Sequence, residues 1–423
     1  MSRSLFSAVS GLRTHQEWLD VIGNNIANAN TPGFKASSAV FQDILSQTLS
    51  AGSAPATNLG GINPMQIGLG VTLGSVTPSF LQGSIQTTNR STDMAIQGDG
   101  FFIVANGNSR LYTRAGAFTL DANGDLVEGS TGYKVQGASG NIRVNLGQQS
   151  AATPTSEVAL KGNLDYSVPD GTTYAVTIPV VDSVGASHTL AVTFTKNFAA
   201  TAGQWDWAVT GSDASILAIS SGSGVDATWG TADDDPATGS LTFGADGAIT
   251  AGDFGVIDVV YTAASGVSSP QELTLDFGTA ASSTPMTGLA ATSSATLGSQ
   301  DGLPTGTLQS FAVGSDGTIT GYYSNGTNEN LGVVQLAIFN NPSGLLQAGA
   351  NHFQESAASG VASTGDAGVG GRGTLTPGSL EASNVDLGKE FTAMILAQTG
   401  FQANARTIQA SDELLKELVN LRR

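Results

Sequence analysis

The residue types that most often carry enzymatic or metal chemistry are few and scattered in this chain of 423 residues. It contains no cysteine, which removes disulfides, thiolate metal sites and cysteine nucleophiles together. His15, His188 and His352 lie in different regions and offer no metal-ligand spacing. A Ser-His-Asp catalytic triad would need a serine in a recognisable sequence motif, and no nucleophile-elbow pattern is present. We therefore predict no catalytic site, no metal site and no cofactor, and do not expect an enzyme.

Two acidic segments and a pair of glycines imitate ligand-binding loops. Asp121-Ala-Asn-Gly-Asp125 begins like a calcium loop, but Leu126 replaces the required glycine and no spaced glutamate completes the site. Asp233-Asp-Asp-Pro236 could bind a cation, although a solvated turn is the favoured interpretation. Gly98 and Gly100 lack the Lys-Ser/Thr pair and the following helix of a phosphate loop.

Composition excludes some classes of partner. The chain has 16 Lys and Arg against 34 Asp and Glu, a net charge of −18, which argues against nucleic-acid binding. No apolar run approaches the ~18 residues of a membrane helix, so we expect no membrane insertion. The amino terminus lacks a signal-peptide pattern, because Arg13 and His15 interrupt any apolar stretch. A cytosolic protein, or one exported without cleavage, is expected.

The amino terminus is predicted to be a helix, because its apolar residues follow the alternating three-and-four spacing of a coiled-coil seam. The turn formers of Asn28-Ala-Asn-Thr-Pro-Gly33 should end it, since Pro32 disfavours helical angles at Thr31. The predicted seam consists of Leu5, Ala8, Leu12, His15, Leu19, Ile22 and Ile26.

The carboxyl terminus is predicted to form a matching helix, with Ser383 or Asn384 as its cap. The two apolar stripes could bury each other in an intramolecular hairpin, or they could drive polymerisation, and both readings stay open. His15, Gln398 and Asp412 lie on or near the seams and could fix the register. The predicted second seam consists of Leu387, Phe391, Met394, Phe401, Ala405, Ile408, Leu415 and Val419.

Between the helices, short alternating stretches broken by Gly, Asn, Asp and Ser are typical of β structure. Strands are predicted at Gly100–Val104 and Gly332–Phe339. Asn-Gly turn chemistry predicts hairpins, because positive backbone angles favour these residues. The predicted turns are Asp121–Asp125, Ser324–Gly326 and the similar pair Gly244–Thr250 and Gly314–Thr320.

The middle of the chain also changes in composition, and three of its four tryptophans, Trp205, Trp207 and Trp229, lie there. We interpret this part as an inserted β domain. The fold class predicted is therefore mainly β and multidomain, with discontinuous nested β domains and paired amino- and carboxyl-terminal α-helices. The predicted divisions are a terminal helical domain (1–30 and 383–423), a linker (31–70 and 370–382), an inner β domain (71–140 and 300–369) and an outer β domain (141–299).

Several blocks carry a resemblance to a known family. The amino-terminal blocks are Ser10-Gly-Leu12, Asn24-Asn-Ile-Ala-Asn28 and Asn30-Thr-Pro-Gly-Phe-Lys35. With them the chain resembles the bacterial flagellar rod, hook and hook-associated proteins. The motif residues are Asn24, Asn25, Asn28, Asn30, Thr31, Pro32, Gly33 and Phe34. Further matching blocks begin at Asn63, Phe80, Asp93, Tyr112, Tyr323, Ala337 and Gly400.

Within that family, the length and the single insertion are similar to those of hook members. The resemblance implies a subunit exported by the flagellar type III apparatus that self-assembles into a curved tube outside the cell and transmits torque from rod to filament. Its implied partners are further copies of itself, the distal rod, the hook cap, the hook-filament junction proteins and the export apparatus. The implied assembly residues are Leu5, Leu12, Leu19, Ile22, Ile26, Leu387, Phe391, Met394, Phe401, Ile408 and Leu415.

Two alternatives remain open at this point. A distal-rod or junction subunit would share the same terminal motifs. An extracellular adhesin or glycan-binding protein would use the tryptophans of the insert, although tryptophans are more often core residues.

Overall fold

The computed structural model of the chain is mainly β, with a long helix at each end, and the two helices pack together. This confirms the predicted fold class. Trp229, Asp233 and Asp234, on which sequence hypotheses were placed, lie outside the described residues. The described residues are 2–55, 60–199, 201–211, 213, 215–222, 235–262, 266–278 and 285–420.

Helix α1 spans Ser2–Ala27 and ends at the predicted turn. The last helical hydrogen bond joins the Asn28 N–H to the Asn24 carbonyl at 3.2 Å. The strands that follow it are β1 Ser37–Asp43, β2 Ser46–Ser50, β3 Met65–Gly68, β4 Val71–Pro78, β5 Ile85–Thr87, β6 Met94–Gln97, β7 Phe101–Asn106, β8 Ser109–Thr113, β9 Phe118–Leu120, β10 Leu126–Glu128, β11 Lys134–Gly137 and β12 Gly140–Asn141.

The middle of the chain is built from strands alone in its described part. They are β13 Glu157–Asn163, β14 Thr173–Val181, β15 Ser187–Lys196, β16 Gln204–Gly211, β17 Ile216–Gly222, β18 Asp235–Pro236, β19 Thr238–Phe243, β20 Ile249–Ala251, β21 Phe254–Tyr261, β22 Gln271–Asp276, β23 Met286–Thr287 and β24 Thr296–Gln300.

The carboxyl part returns through further strands and a short 3₁₀ turn, Pro342–Gly344, to helix α2, Leu387–Asn420. Its strands are β25 Leu308–Val313, β26 Thr318–Tyr323, β27 Asn328–Val333, β28 Gln335–Ile338, β29 Leu346–Gly349, β30 His352–Gln354, β31 Ser363–Asp366, β32 Thr374–Pro377 and β33 Ser379–Glu381.

The cap predicted for α2 is wrong. Asp386 caps the helix, because its Oδ1 accepts the N–H groups of Gly388 at 2.9 Å and Lys389 at 3.2 Å. The Asn384 side chain is held elsewhere, since its Oδ1 accepts from the Ala36 N–H at 2.8 Å. The helix therefore begins only after this anchored segment.

The chain divides into two compact units. The first unit comprises Met1–Asn145, Phe311–Gly321 and Glu329–Arg423, and the second comprises Leu146–Ser310 and Tyr322–Asn328. The finer division into helical, linker, inner and outer domains stays a prediction.

Much of the first unit is an antiparallel sheet that contains strands from both the early and the late parts of the chain. Its order is β29-β30-β8-β7-β11-β10-β9, with β28 beside β7, β31 beside β28 and β12 beside β11. Smaller pairs are β1 with β4, β2 with β3, β32 with β6 and β33 with β5. The pairs β5 with β33, β6 with β32, β7 with β28 and β8 with β30 join the two distant stretches of chain into one unit.

The second unit is a β-sandwich whose two sheets share one apolar core. One sheet has the order β18-β17-β21-β22-β13-β23, with β24 beside β13, and the other has the order β14-β15-β16-β19-β20. Trp205 and Trp207 on β16 are buried in that core, with 1% and 5% of their surface exposed. Both are therefore packing residues, which removes them as glycan contacts.

The predicted hairpins are confirmed. The turn at Asp121–Asp125 joins β9 to β10, Ser324–Gly326 joins β26 to β27, and the two similar segments join β19 to β20 and β25 to β26. The predicted strand Gly332–Phe339 is instead two strands. Val334 separates them, because it forms an isolated bridge with Gly137 and its N–H donates to the Gly317 carbonyl at 2.8 Å.

His188 on β15 connects the two sheets of the second unit. Its Nε2 lies 3.0 Å from Asp182 Oδ2, and its Nδ1 lies 2.8 Å from Asp213 Oδ2, just before β17 of the opposite sheet. Ser215 Oγ is also 3.1 Å from Nδ1. This Ser-His-Asp set cannot work as a nucleophilic triad in this form, because carboxylates occupy both ring nitrogens and leave no free base for the serine.

The pKa of His188 is raised. Burial alone would lower it, but the hydrogen bonds to Asp182 and Asp213 outweigh the burial. The backbone N–H of Ser215, followed by the imidazole, lowers the pKa of Asp213 to about 2. The Tyr261 ring, 5.0 Å from the imidazole, completes its surroundings. The two carboxylates therefore favour the protonated, cationic form of the imidazole.

We predict that His188→Gln destabilises the second unit by about 1 kcal/mol at pH 6. The folded-state pKa is raised, so the contribution is complete below the unfolded-state pKa of about 6.5 and is lost as the pH rises through the folded-state pKa. Urea titrations from pH 6 to 9, followed by tryptophan fluorescence, should show the difference between variant and parent shrink with pH. A difference that grows with pH would contradict the charged bridge.

Candidate assembly surface

The two terminal helices pack together, and the predicted seam of α1 is at least half-buried. Ala8 and Ile22 are 3% and 2% exposed, and the other seam residues are half-buried. Those residues are Leu5, Leu12, His15, Leu19 and Ile26. Gly11, Thr14 and Asn25 are also buried, so the periodicity of α1 identified only part of its inner face.

The matching face of α2 is made of small and polar residues. Ala397 is fully buried and Ser411 is 7% exposed. A Cβ atom added at Gly400 would lie 2.6 Å from the His15 ring, and one added at Gly11 would lie 2.8 Å from the Asn404 side chain. Glycine at these two positions lets the helices approach closely.

The seam predicted for α2 is only partly buried. Met394, Ala405 and Ile408 are half-buried, and the side chain of Val419 lies outside the described part. Gln398 and Asp412 are exposed, so neither sets the register of the pair. The larger seam residues turn outward because the close contact runs through the small ones. They are Leu387, Phe391, Phe401 and Leu415, each 37–50% exposed.

Both terminal helices consequently present large apolar side chains to solvent. Phe6 and Val9 on α1 are 69% and 49% exposed, and Ile395 and Leu396 on α2 are 61% and 58% exposed. Phe6 and Val9 also line a groove of about 570 Å³ whose opposite wall includes Leu73 of β4. Exposed apolar surface of this kind marks an interaction site on a soluble protein.

The motif after α1 fixes the path of the chain with side-chain hydrogen bonds. Asn25 donates to the Ser37 carbonyl at 2.8 Å and accepts the Ser37 N–H at 2.9 Å, which links the helix to β1. Asn28 donates to Asn24 Oδ1 at 3.0 Å and accepts from Thr31 Oγ1 at 3.2 Å. This folds the turn back on the helix end.

The rest of the motif packs against the returning chain. Gly33 has a φ of +71°, and a Cβ there would lie 2.5 Å from the Ala115 nitrogen, so glycine is required. Phe34 is half-buried, whereas Asn30 and Pro32 are exposed. The roles of the motif and seam residues in assembly stay predictions.

A buried ion cluster lies immediately beyond this turn. Lys35 Nζ is 2.7 Å from Glu381 Oε1, and Arg114 Nη1 is 3.5 Å from Glu381 Oε2. Gly83 N–H also donates to Glu381 Oε1, at 2.8 Å. All three charged side chains are at most 2% exposed. One carboxylate thus holds four segments together.

Burial lowers the pKa of Lys35 and of Arg114, and the Glu381 carboxylate opposes the shift in both cases. Sequence reasoning quoted Lys35 and Arg114 within motifs but missed Glu381. A lone glutamate in a short strand carries no local signal of a partner more than 300 residues away.

The described residues include no group of three or more His, Asp or Glu side chains placed to hold a metal ion. Asp121 instead accepts the N–H groups of Asn123 and Asp125, each at 2.8 Å, as a hairpin turn does. Asp125 forms ion pairs with Lys134 and with Arg143, the latter at 2.9 Å. No helix in the described part is long and apolar enough to cross a membrane.

The chain is 38% identical to the "Flagellar hook protein FlgE" of Treponema pallidum, with both chains covered completely. It is 34% identical to that of Salmonella typhimurium, over 99% of this chain and 100% of the relative. The chain belongs to the flagellar hook protein family. It is a structural subunit of the flagellar hook and basal-body assembly. The "Flagellar basal-body rod protein FlgG" of Bacillus subtilis is 31% identical over the full length of both chains.

Family models match this hook subunit in four places. The terminal helices match "Flagella basal body rod protein" at 5–35 and "Flagellar basal body rod FlgEFG protein C-terminal" at 376–421. The β part matches "Flagellar hook protein FlgE/F/G D1 domain" at 95–179 and "Flagellar basal body protein FlaE D2 domain" at 141–303. The resemblance stated from the motifs is confirmed.

We predict that Gly400→Ala weakens the pairing of the helices by about 1–3 kcal/mol, because the new methyl group meets the His15 ring. Gly23→Ala is the matched control, since a Cβ there meets nothing within 4 Å. It should stabilise α1 by roughly 0.5–1 kcal/mol. Helical circular dichroism during thermal unfolding measures both, and equal effects would contradict the close contact.

We predict that Glu381→Gln costs about 3–5 kcal/mol of unfolding free energy, because it strands two buried cations. Glu17→Gln, which breaks the exposed pair with Arg13, should cost no more than about 1 kcal/mol. Adding Lys35→Met to Glu381→Gln should recover part of the loss. Urea denaturation measures all three, and a loss for Glu381→Gln as small as that for Glu17→Gln would refute this role.

Proposed function

We propose that this hook subunit joins copies of itself through its terminal helices into an open-ended helical tube, which forms a curved joint between rod and filament. The observation that carries the proposal is the pair of packed helices that still leaves Phe6, Phe391 and Ile395 about half-exposed or more. A helix pair that formed all of its apolar contacts within one chain would bury such residues.

The free-energy argument is that of hydrophobic burial. Each fully buried Phe, Leu or Ile side chain contributes about 1.5–3 kcal/mol. Burial of several such residues per subunit is enough to stabilise the contact between two subunits, and further neighbouring subunits in the polymer add more contacts. Because one surface of each copy meets a different surface of the next, the contacts are head-to-tail and give a filament rather than a closed ring.

A joint that rotates while bent needs inner contacts that hold and outer contacts that slide. Only 12% of the residues are charged, so the β surfaces can exchange neighbours without breaking many ion pairs. In this proposal the helices of 1–30 and 383–423 hold the tube, while the inner and outer β domains slide. The net charge of −18 keeps the monomers apart in solution until their ends engage.

The subunit's further partners are proposed from the same assignment. They are the distal rod below the hook, the hook cap during growth, the hook-filament junction proteins above it and the flagellar type III export apparatus. Its proposed location is outside the cell, in the flagellum. No enzymatic role is proposed.

A straight distal-rod subunit is the second candidate, because the Bacillus subtilis rod protein covers the whole chain at 31% identity. Electron microscopy of the polymer separates the two. Curved tubes support a hook, and only straight tubes support a rod.

We predict that removing residues 1–30 leaves a soluble β protein that no longer polymerises, because the apolar assembly face is lost. The same outcome is expected after removal of 389–423. Sedimentation and electron microscopy measure polymer, while tryptophan fluorescence reports the β core. Tubes formed by either truncated chain would contradict the role of the helices.

Point variants test the same surface without deletion. Phe391→Ser with Ile395→Ser should abolish polymer at concentrations where the parent assembles, and should leave the circular dichroism of the monomer unchanged. Thr407→Ser, an exposed change on the same helix, is the matched control and should assemble normally.

A further inference from the structure

A cavity of about 280 Å³ in the first unit lies next to the buried ion cluster. Phe80, Phe101 and Phe339 form its aromatic walls, Arg114 contributes to its lining, and Asp99 stands at its exposed side. These residues lie outside the helix pair, within the blocks that begin at Phe80, Asp93, Tyr112 and Ala337.

The ion cluster beside this cavity has more cations than anions. Lys35 and Arg114 share the single carboxylate of Glu381, and all three side chains are almost completely buried. Glu381 Oε1 also accepts the Gly83 N–H. Buried charge is costly unless it is compensated, so one positive charge in excess makes this place attractive for an anion.

The guanidinium of Arg114 has one unpartnered donor among the described residues. Its Nε is buried and has no hydrogen-bond acceptor among the residues that the structure describes. Its Nη1 contact with Glu381 is long, at 3.5 Å. Asp99 is a second carboxylate that acts on this guanidinium, but it is exposed, and no ion pair between the two is found among the described residues.

The walls restrict what the anion can be attached to. The Phe80 and Phe101 ring centroids are 5.2 Å apart, and those of Phe101 and Phe339 are 5.8 Å apart, all edge-on. Arg114 Cζ lies 5.4 Å from the centre of the Phe101 ring. The site therefore suits a carboxylate carried on an apolar stem, as in an acidic side chain.

We propose that this cavity receives an acidic side chain from a second copy of the chain when the subunits assemble. The inference rests on the proposed self-assembly. Charge complementarity selects the occupant, because each copy carries 34 acidic against 16 basic residues and net-negative copies need local cationic acceptors to come together. The cavity supplies such an acceptor and fixes the register of the contact.

The first test measures the cavity on the full-length monomer with phenylacetate, by nuclear magnetic resonance titration. Phenylacetate should bind at least about tenfold more tightly than its neutral isostere phenylacetamide. Asp99→Asn should strengthen phenylacetate binding about threefold, since it removes the competing carboxylate. Asp253→Asn makes the same change in net charge in the second unit and should have no effect.

Ile338→Trp should fill the cavity and abolish binding, whereas Ile338→Val should preserve it. Thermal unfolding of both variants checks that the unit is folded. Equal binding of phenylacetate and phenylacetamide, or no response to Asp99→Asn, would overturn the anion site.

The second test identifies the occupant in the polymer. A photoreactive benzoylphenylalanine at position 338, in tubes assembled from a mixture of ¹⁴N and ¹⁵N subunits, should cross-link to a peptide of another copy that contains Asp or Glu. Cross-links confined to one copy, or to peptides without an acid, would overturn the proposed occupant.

The two tests separate this inference from the proposed function. If no variant of the chain polymerises, self-assembly fails while the phenylacetate result still decides the anion site. If tubes form and the cross-links lack an acidic peptide, only the inference fails.

Discussion

The arrangement of the first unit depends on one buried carboxylate. Glu381 binds Lys35, Arg114 and the backbone of Gly83, which are 346, 267 and 298 residues away along the chain. These contacts lie where the chain leaves α1 and where it returns toward α2. Because buried ions are tolerated only with partners in place, the cluster fixes which segments meet and leaves little freedom to pair them otherwise.

The pairing of the two terminal helices follows from this contact between the early and late segments of the chain. Once the two ends are brought together, small residues at Gly11 and Gly400 allow a close contact, and the large apolar side chains must face outward. In the proposed assembly, contacts between subunits bury the side chains that the single subunit leaves exposed. Membership of the flagellar hook protein family agrees with such a division, since a structural subunit needs surfaces that only its neighbours complete.

The two units contain no disulfides, and each is stabilised by a different arrangement of buried residues. The first unit interleaves strands from distant parts of the sequence around an aromatic cluster that includes Phe101 and Phe353. The second is a sandwich around Trp205 and Trp207, with His188 connecting its sheets through carboxylates. Burial and buried ion pairs therefore provide what covalent cross-links supply in disulfide-bonded proteins.

The sequence by itself determined the terminal helices, part of the inner face of α1, the hairpin turns and the family, because these depend on residue spacing and on local backbone preferences. It did not predict the cap at Asp386, the outward face of Phe391 and Phe401, or the partners of Glu381. Those features depend on which distant segments meet and how closely they approach. Periodicity shows that a stripe is apolar, but only tertiary packing decides whether that stripe is buried within the chain.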